Sequence, residues 1–128
     1  MAEMSNYLEN ALINGTLRAT SYTAPTTTYL ALYTNDPTDA DTGTEITGGS
    51  YVRQSITFSS PSNGATSNSS AIEFPQATAD WGTITHVGIR DAVTSGNLLY
   101  HSALDTSKAI SNGDIFKITS TNLSVTLA

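Results

Sequence analysis

Along much of the chain apolar and polar residues alternate with the two-residue rhythm of a strand. Leu30 and Leu32 fall on one face while Tyr29, Ala31 and Tyr33 fall on the other. Farther on, Val52, Gln54, Ile56 and Phe58 share a face, and Tyr51, Arg53, Ser55 and Thr57 share the opposite one. Both segments read as half-buried strands. Ile72 and Phe74 predict a short strand that Pro75 stops, and Thr83 to Ile89 predicts another, in which Gly88 marks a bulge or a close neighbouring backbone. Asp91 to Asn97 then leads into Leu98-Leu99-Tyr100-His101, a hairpin with a connection longer than the two-residue turns. Ile115 to Ile118 and the alternating Leu123, Val125 and Leu127 complete the pattern. About seven or eight short strands separated by turn signals predict a mainly β fold, an antiparallel β-sandwich or barrel of jelly-roll type.

The first residues follow a different period. Ser5 is placed to cap a helix, Glu9 lies in its first turn, and Leu8, Ala11 and Leu12 share one side with Tyr7 beside them. This predicts a short N-terminal α-helix over about 5–15, ended by Gly15. The link from Gly15 to Pro25 is long enough to hold the helix off the sheet. A stripe held away from its own core needs a partner surface, so Tyr7, Leu8, Ala11 and Leu12 are the candidate contact residues. The β-rich body runs over about 28–128, and the whole chain, 1–128, reads as one domain.

Composition narrows the function classes. Abundant Ser and Thr suit half-solvated strands and turns. Asn35 to Gly49 and Ser59 to Ser70 lack periodicity and are predicted to be exposed loops. Eleven acidic residues against five basic ones give a net charge of -6, and Arg18, Arg53, Arg90, Lys108 and Lys117 are scattered. Nucleic-acid binding, which draws on clustered cations, is disfavoured. No apolar run reaches the roughly 20 residues of a membrane-spanning helix, and Met1-Ala2-Glu3-Met4 does not begin a signal peptide, so a membrane partner is not expected either. There is no cysteine to form a disulfide or a thiolate metal site.

Candidate chemistry is sparse. Asp39, Asp41 and Glu45 offer oxygen ligands in the Asp36–Glu45 loop, but an EF-hand needs a ligand where Gly43 stands, a glycine at Thr44 and a glutamate at Ser50. A looser calcium loop and a solvated acidic turn both fit those residues. His86 and His101 sit in neighbouring predicted strands, yet two imidazoles fall short of a zinc site. No Gly-x-Ser-x-Gly elbow and no phosphate-binding glycine pattern occurs. The chain therefore reads as a non-enzyme without a cofactor. Tyr7, Tyr22, Tyr29, Tyr33, Tyr51, Tyr100 and Trp81 are available for packing, for stacking on a carbohydrate or for subunit contacts, with Trp81 the candidate buried anchor beside Gly82. Asn14, Asn68 and Asn122 match the glycosylation pattern, which matters only in a secreted protein.

Thr28-Tyr29-Leu30-Ala31-Leu32-Tyr33-Thr34-Asn35-Asp36-Pro37 and Trp81-Gly82-Thr83-Ile84-Thr85-His86-Val87-Gly88-Ile89-Arg90-Asp91-Ala92 are the most informative blocks. With Gly48-Gly49-Ser50-Tyr51, Asn97-Leu98-Leu99 and Gly113-Asp114, they resemble segments of small bacteriophage virion structural proteins of the capsid-decoration or tail-fibre kind. The resemblance implies a virion protein, made in the host cytoplasm, that works by binding. Its implied partners are itself, as a homo-oligomer, and another virion protein. The favoured expectation is a capsid decoration, or cement, protein on the major capsid protein; a tail-fibre or baseplate component contacting the host surface is the alternative.

Overall fold

The computed structural model describes residues 2–127. Its centre is a five-stranded antiparallel sheet built from β1 (Glu3–Met4), β2 (Thr28–Tyr33), β3 (Gln54–Ile56), β6 (Gly82–Arg90) and β7 (Leu98–Ile110) in the spatial order β1-β7-β6-β2-β3. Two small ribbons accompany it: β4 (Ala65–Ser67) pairs with β9 (Ser124–Thr126), and β5 (Ile72–Glu73) pairs with β8 (Lys117–Ile118). One helix, α1 (Asn6–Leu17), follows β1. The fold is thus mainly antiparallel β with a short N-terminal helix. Of the two expected architectures the barrel is excluded, because no described strand continues the ladder from β3 around to β1.

Strand β2 lies inside the sheet, between β6 and β3, and both of its faces are covered. Leu30 and Leu32 enter the main core with Ile56, Ile72, Phe74, Trp81, Ile84, Val87, Ile89, Phe116 and Val125. Ala31 and Tyr33 are equally buried on the other side, so this strand is not the half-buried one its alternation suggested. The aromatic centre of the core is interlocked: Tyr51 stacks on Phe74 at 5.9 Å, and Trp81 stands edge-on to Tyr51 at 5.5 Å. Trp81 is the buried anchor expected of it, and its Nε1–H donates to the Gly49 carbonyl at 2.9 Å. Room for the indole comes from Gly49 rather than Gly82: a Cβ on Gly49 would stand 2.8 Å from Trp81 Nε1, whereas one on Gly82 meets nothing closer than 3.9 Å.

Several boundaries differ from those the periodicity implies. Ser5 caps α1, accepting from the Leu8 N–H at 3.2 Å, but Gly15 does not end it. The helix runs on to Leu17 and stops where Ala19 takes a left-handed φ of 54°. A glycine inside a helix costs about 1 kcal/mol relative to alanine, which one favourable cap can offset. The strand expected over Tyr51–Phe58 contracts to β3, because Tyr51 and Arg53 both turn inward before it begins and leave Val52 exposed. Within Ser59–Ser70 the chain is not all exposed loop: Asn63 and Gly64, with φ of 52° and 76°, turn it back into β4. Asn68 is fully buried there, which removes it as a glycosylation acceptor in the folded chain. Its Nδ2 donates to the Ser70 and Thr119 carbonyls, and its Oδ1 accepts from the Leu123 N–H.

Strand β7 extends far beyond His101. Between the pairs His86↔Ala103 and Ile84↔Lys108, the residues Leu104 to Ser107 stand against Thr85 alone. This bulge breaks the alternation and hides the second half of the strand from a period-two reading. Gly88 pairs with His101, one residue before the register shift between Ile89 and Arg90. The close approach it permits is by side chains: a Cβ there would come within 2.8 Å of Tyr33 Cε2 and of Leu98 Cδ1.

Candidate functional site

The face of the central sheet opposite the main core carries most of the polar structure. Two arginines organise it. Arg53 forms a bidentate pair with Glu45, Nε to Oε2 and Nη2 to Oε1, both at 2.8 Å. Its Nη1 donates to the carbonyls of Ala92 and Ser95, each at 2.8 Å. Arg90, on β6, forms a second fork with Asp41 and also donates to the Tyr33 hydroxyl at 3.0 Å and the Gly96 carbonyl at 3.0 Å. Bidentate geometry of this kind is open to a guanidinium and not to an ammonium. The two side chains therefore clamp the β6–β7 connection onto the segment between β2 and β3. Asp91 closes that connection by accepting from Asn97 N at 2.7 Å and Nδ2 at 3.0 Å.

Ionisation follows from these contacts. Burial raises the Glu45 pKa, but hydrogen bonds from Arg53 and Tyr51 outweigh it and hold the carboxyl below its ordinary value. The Tyr51 hydroxyl is pushed up by burial and by its 2.6 Å bond to Glu45, while it accepts from the Leu32 N–H at 3.0 Å. For Arg90, burial opposes the charge and the bonds to Asp41 and Tyr33 overcome it, so the guanidinium stays charged.

A second cluster lies where β1, the start of α1 and the Asp36–Asp41 turn meet β7. His101 faces Asp39 through Nε2 at 2.7 Å, and Nδ1 looks toward Asp36 Oδ1 at 3.7 Å and Glu3 Oε2 at 3.8 Å. The backbone holds this arrangement. Glu3 pairs with His101 in the β1–β7 ladder, Asn6 N–H donates to the Asp39 carbonyl at 2.9 Å, and Thr38 N–H donates to Asp36 Oδ1 at 2.8 Å. The Ser5 hydroxyl completes it by donating to the Leu98 carbonyl.

The sequence-derived candidates distribute themselves unevenly over this surface. Leu8 packs into its own chain, Ala11 and Leu12 are half-buried, and Tyr7 is exposed. Besides Tyr7, the large apolar residues that α1 offers to solvent are Ile13 and Leu17, at 52% and 79% exposure, one turn apart. Carboxylates of the acidic loop do not converge as calcium ligands: Asp41 goes to Arg90, Glu45 to Arg53, and Asp36 and Asp39 to His101. His86 hydrogen-bonds Thr85 Oγ1 at 2.8 Å. Tyr33, Tyr51 and Trp81 are taken up in packing. Arg53, Arg90 and the Asp39–His101 pair were beyond reach of spacing arguments, since Asp39 and His101 are separated by 62 positions and Asp41 and Arg90 by 49. The one sequence signal was the isolation of two arginines within otherwise strand-like segments, where a lone charge needs a partner.

Chemically, the arginines satisfied by carboxylates and carbonyls form a rigid platform and present no free cationic pocket. Residues 3–126 match the family model described as podophage GP4 fiber I protein gp80. No curated protein matches the chain.

Proposed function

As a member of the family of the podophage GP4 fiber I protein gp80, the chain is a bacteriophage virion structural protein, and we propose that it acts as a fibre component working by binding rather than catalysis. The observation that carries this reading is the family match, which spans almost the whole chain. The structure supports it in a second way. The charged groups that a catalytic reading would recruit, Asp41, Glu45, Arg53 and Arg90, are engaged in holding loops together, which makes a firm surface for contact. The fibre reading displaces capsid bracing, for which neither the family description nor the fold supplies a specific argument. Partners in this reading are further copies of the chain and a neighbouring virion protein, reached through exposed apolar positions such as Ile13 and Leu17.

Immunogold labelling of purified particles, combined with counting the copies per particle by quantitative mass spectrometry, tests the assignment. A few copies located at the tail are the expected result. Labelling spread over the capsid lattice with hundreds of copies would overturn the fibre assignment and restore the decoration reading.

A further inference from the structure

All of residues 15–21, at the end of α1 and just beyond it, are exposed, and residues 18–27 form neither helix nor strand before the chain enters β2. This stretch tethers an N-terminal arm, β1 with α1, to the rest of the fold. The last turn of the helix is its weak part. Gly15 and Thr16 are poor helix formers, the turn carries no buried side chain, and Leu8 is the buried residue of α1. Arg18 caps the helix with local bonds, its N–H donating to the Asn14 carbonyl at 3.1 Å and its Nη1 to Asn14 Oδ1 at 3.3 Å. Opening that turn therefore leaves the core undisturbed.

We propose that the Arg18–Ala19 bond is the site at which an endopeptidase specific for basic residues nicks the folded chain, and that the arm stays docked afterwards. Such an enzyme needs an accessible cationic side chain and a few residues of backbone that can be drawn out straight. The other four cations fail one or both conditions. Arg53 and Arg90 are buried in their forks with Glu45 and Asp41. Lys108 lies in the β6–β7 ladder opposite Ile84, and Lys117 lies in the β5–β8 ladder opposite Glu73, next to the buried Phe116. The step is hydrolysis: water adds to the Arg18 carbonyl carbon, the C–N bond to Ala19 breaks, and the new ends are a carboxylate and an ammonium group. The main contacts of the arm lie upstream of the broken bond. Glu3 and Met4 pair with His101 and Tyr100, the Ser5 and Asn6 N–H groups donate to the Leu99 and Asp39 carbonyls at 2.9 Å each, and Leu8 is 4% exposed. Cleavage thus turns a tethered arm into a separable piece held without a covalent bond.

Limited trypsin digestion of the full folded chain, followed by mass spectrometry and gel filtration, is the test. The first products should be fragments 1–18 and 19–128, eluting together at the position of the intact chain. Arg18→Gln, at an exposed position, should remove the early cut and leave the Tm unchanged. Gly15→Ala should slow the cut by about 5-fold, because alanine stabilises the turn that must open and a Cβ at Gly15 meets nothing closer than 3.5 Å. First cleavage at Lys108 or Lys117, or survival of the chain until it unfolds globally, would overturn the site. Elution of 1–18 apart from 19–128 would overturn the docked arm, and a cut as fast in Gly15→Ala as in the parent would overturn the opening of the last turn.

Discussion

Arg90 and Asp41 lie 49 positions apart and meet fork to fork, Nη1 to Oδ1 at 2.7 Å and Nη2 to Oδ2 at 2.8 Å. The same guanidinium reaches the Tyr33 hydroxyl and the Gly96 carbonyl, so one side chain ties β2, β6 and both flanking loops together. Asp41→Asn keeps the shape and removes the charge that compensates Arg90. Stability should fall by about 2 kcal/mol, below the 3–5 kcal/mol of a fully buried pair because Asp41 is partly solvated. Urea unfolding of the variant against the parent reads this directly, and an unchanged midpoint would contradict the clamp.

Glu45 gives the chain an acid-sensitive contact. Its folded pKa lies below the ordinary 4.5, so its stabilising effect is complete above that value and is lost as pH falls through the lower folded pKa. Between pH 6 and pH 3 the parent should therefore lose more Tm than Glu45→Gln, which starts lower but has one fewer group to protonate. Parallel melting curves across that range would refute the assignment.

Gly88 is predicted to tolerate no side chain. Gly88→Ala places a methyl against Tyr33 and Leu98 in the middle of β6, and overpacking of this sort costs about 1–3 kcal/mol. The conformation itself is not the obstacle, since Gly88 is not among the residues with positive φ. Combining Gly88→Ala with Tyr33→Phe should recover little, because the ring and not the hydroxyl makes the closest approach. Thermal unfolding of the single and double variants decides between sterics and lost hydrogen bonding.

On α1, inner and outer positions should part company. Leu8→Asp is expected to lower the Tm of the isolated protein by burying a carboxylate against β7, a cost of several kcal/mol unless the helix detaches. Ile13→Asp and Leu17→Asp should change stability by no more than about 0.5 kcal/mol and so leave that Tm close to the parent's, as exposed substitutions do. If the outer pair contacts another chain, these variants reduce self-association in sedimentation or incorporation into particles. Normal assembly of both would remove α1 from the list of interfaces.

Asn68 behaves as a polar staple. Asn68→Leu removes a buried amide that answers two carbonyls and one N–H, leaving them unpaired where β4 meets β9, and the penalty for each such group is about 1–3 kcal/mol. Hydrogen exchange should speed up first at Leu123, whose N–H loses the Asn68 Oδ1 acceptor, and less at Thr121, whose N–H bonds the backbone carbonyl of residue 68 that the variant keeps.

What residue order carries on its own is local. Ser5 announces the start of a helix, the alternation from Tyr29 to Tyr33 announces a strand, and the turn residues around Asn97 announce a hairpin, because each depends on neighbours within a few positions. The β-rich class, the helix and the burial of Trp81 follow from such signals. Extents were less accessible: Gly15 could be absorbed into a helix anchored elsewhere, and the bulge at Leu104 to Ser107 shifted β7 out of phase with its own pattern. Pairings across the fold needed the folded chain. Asp36, Asp39, Asp41 and Glu45 look alike along the sequence, yet they are divided among His101, Arg90 and Arg53 once the sheet brings β6 and β7 beneath the loop. A charge selects its partner by distance through space, and distance through space is set by strand order and register, which no period of two or of 3.6 contains.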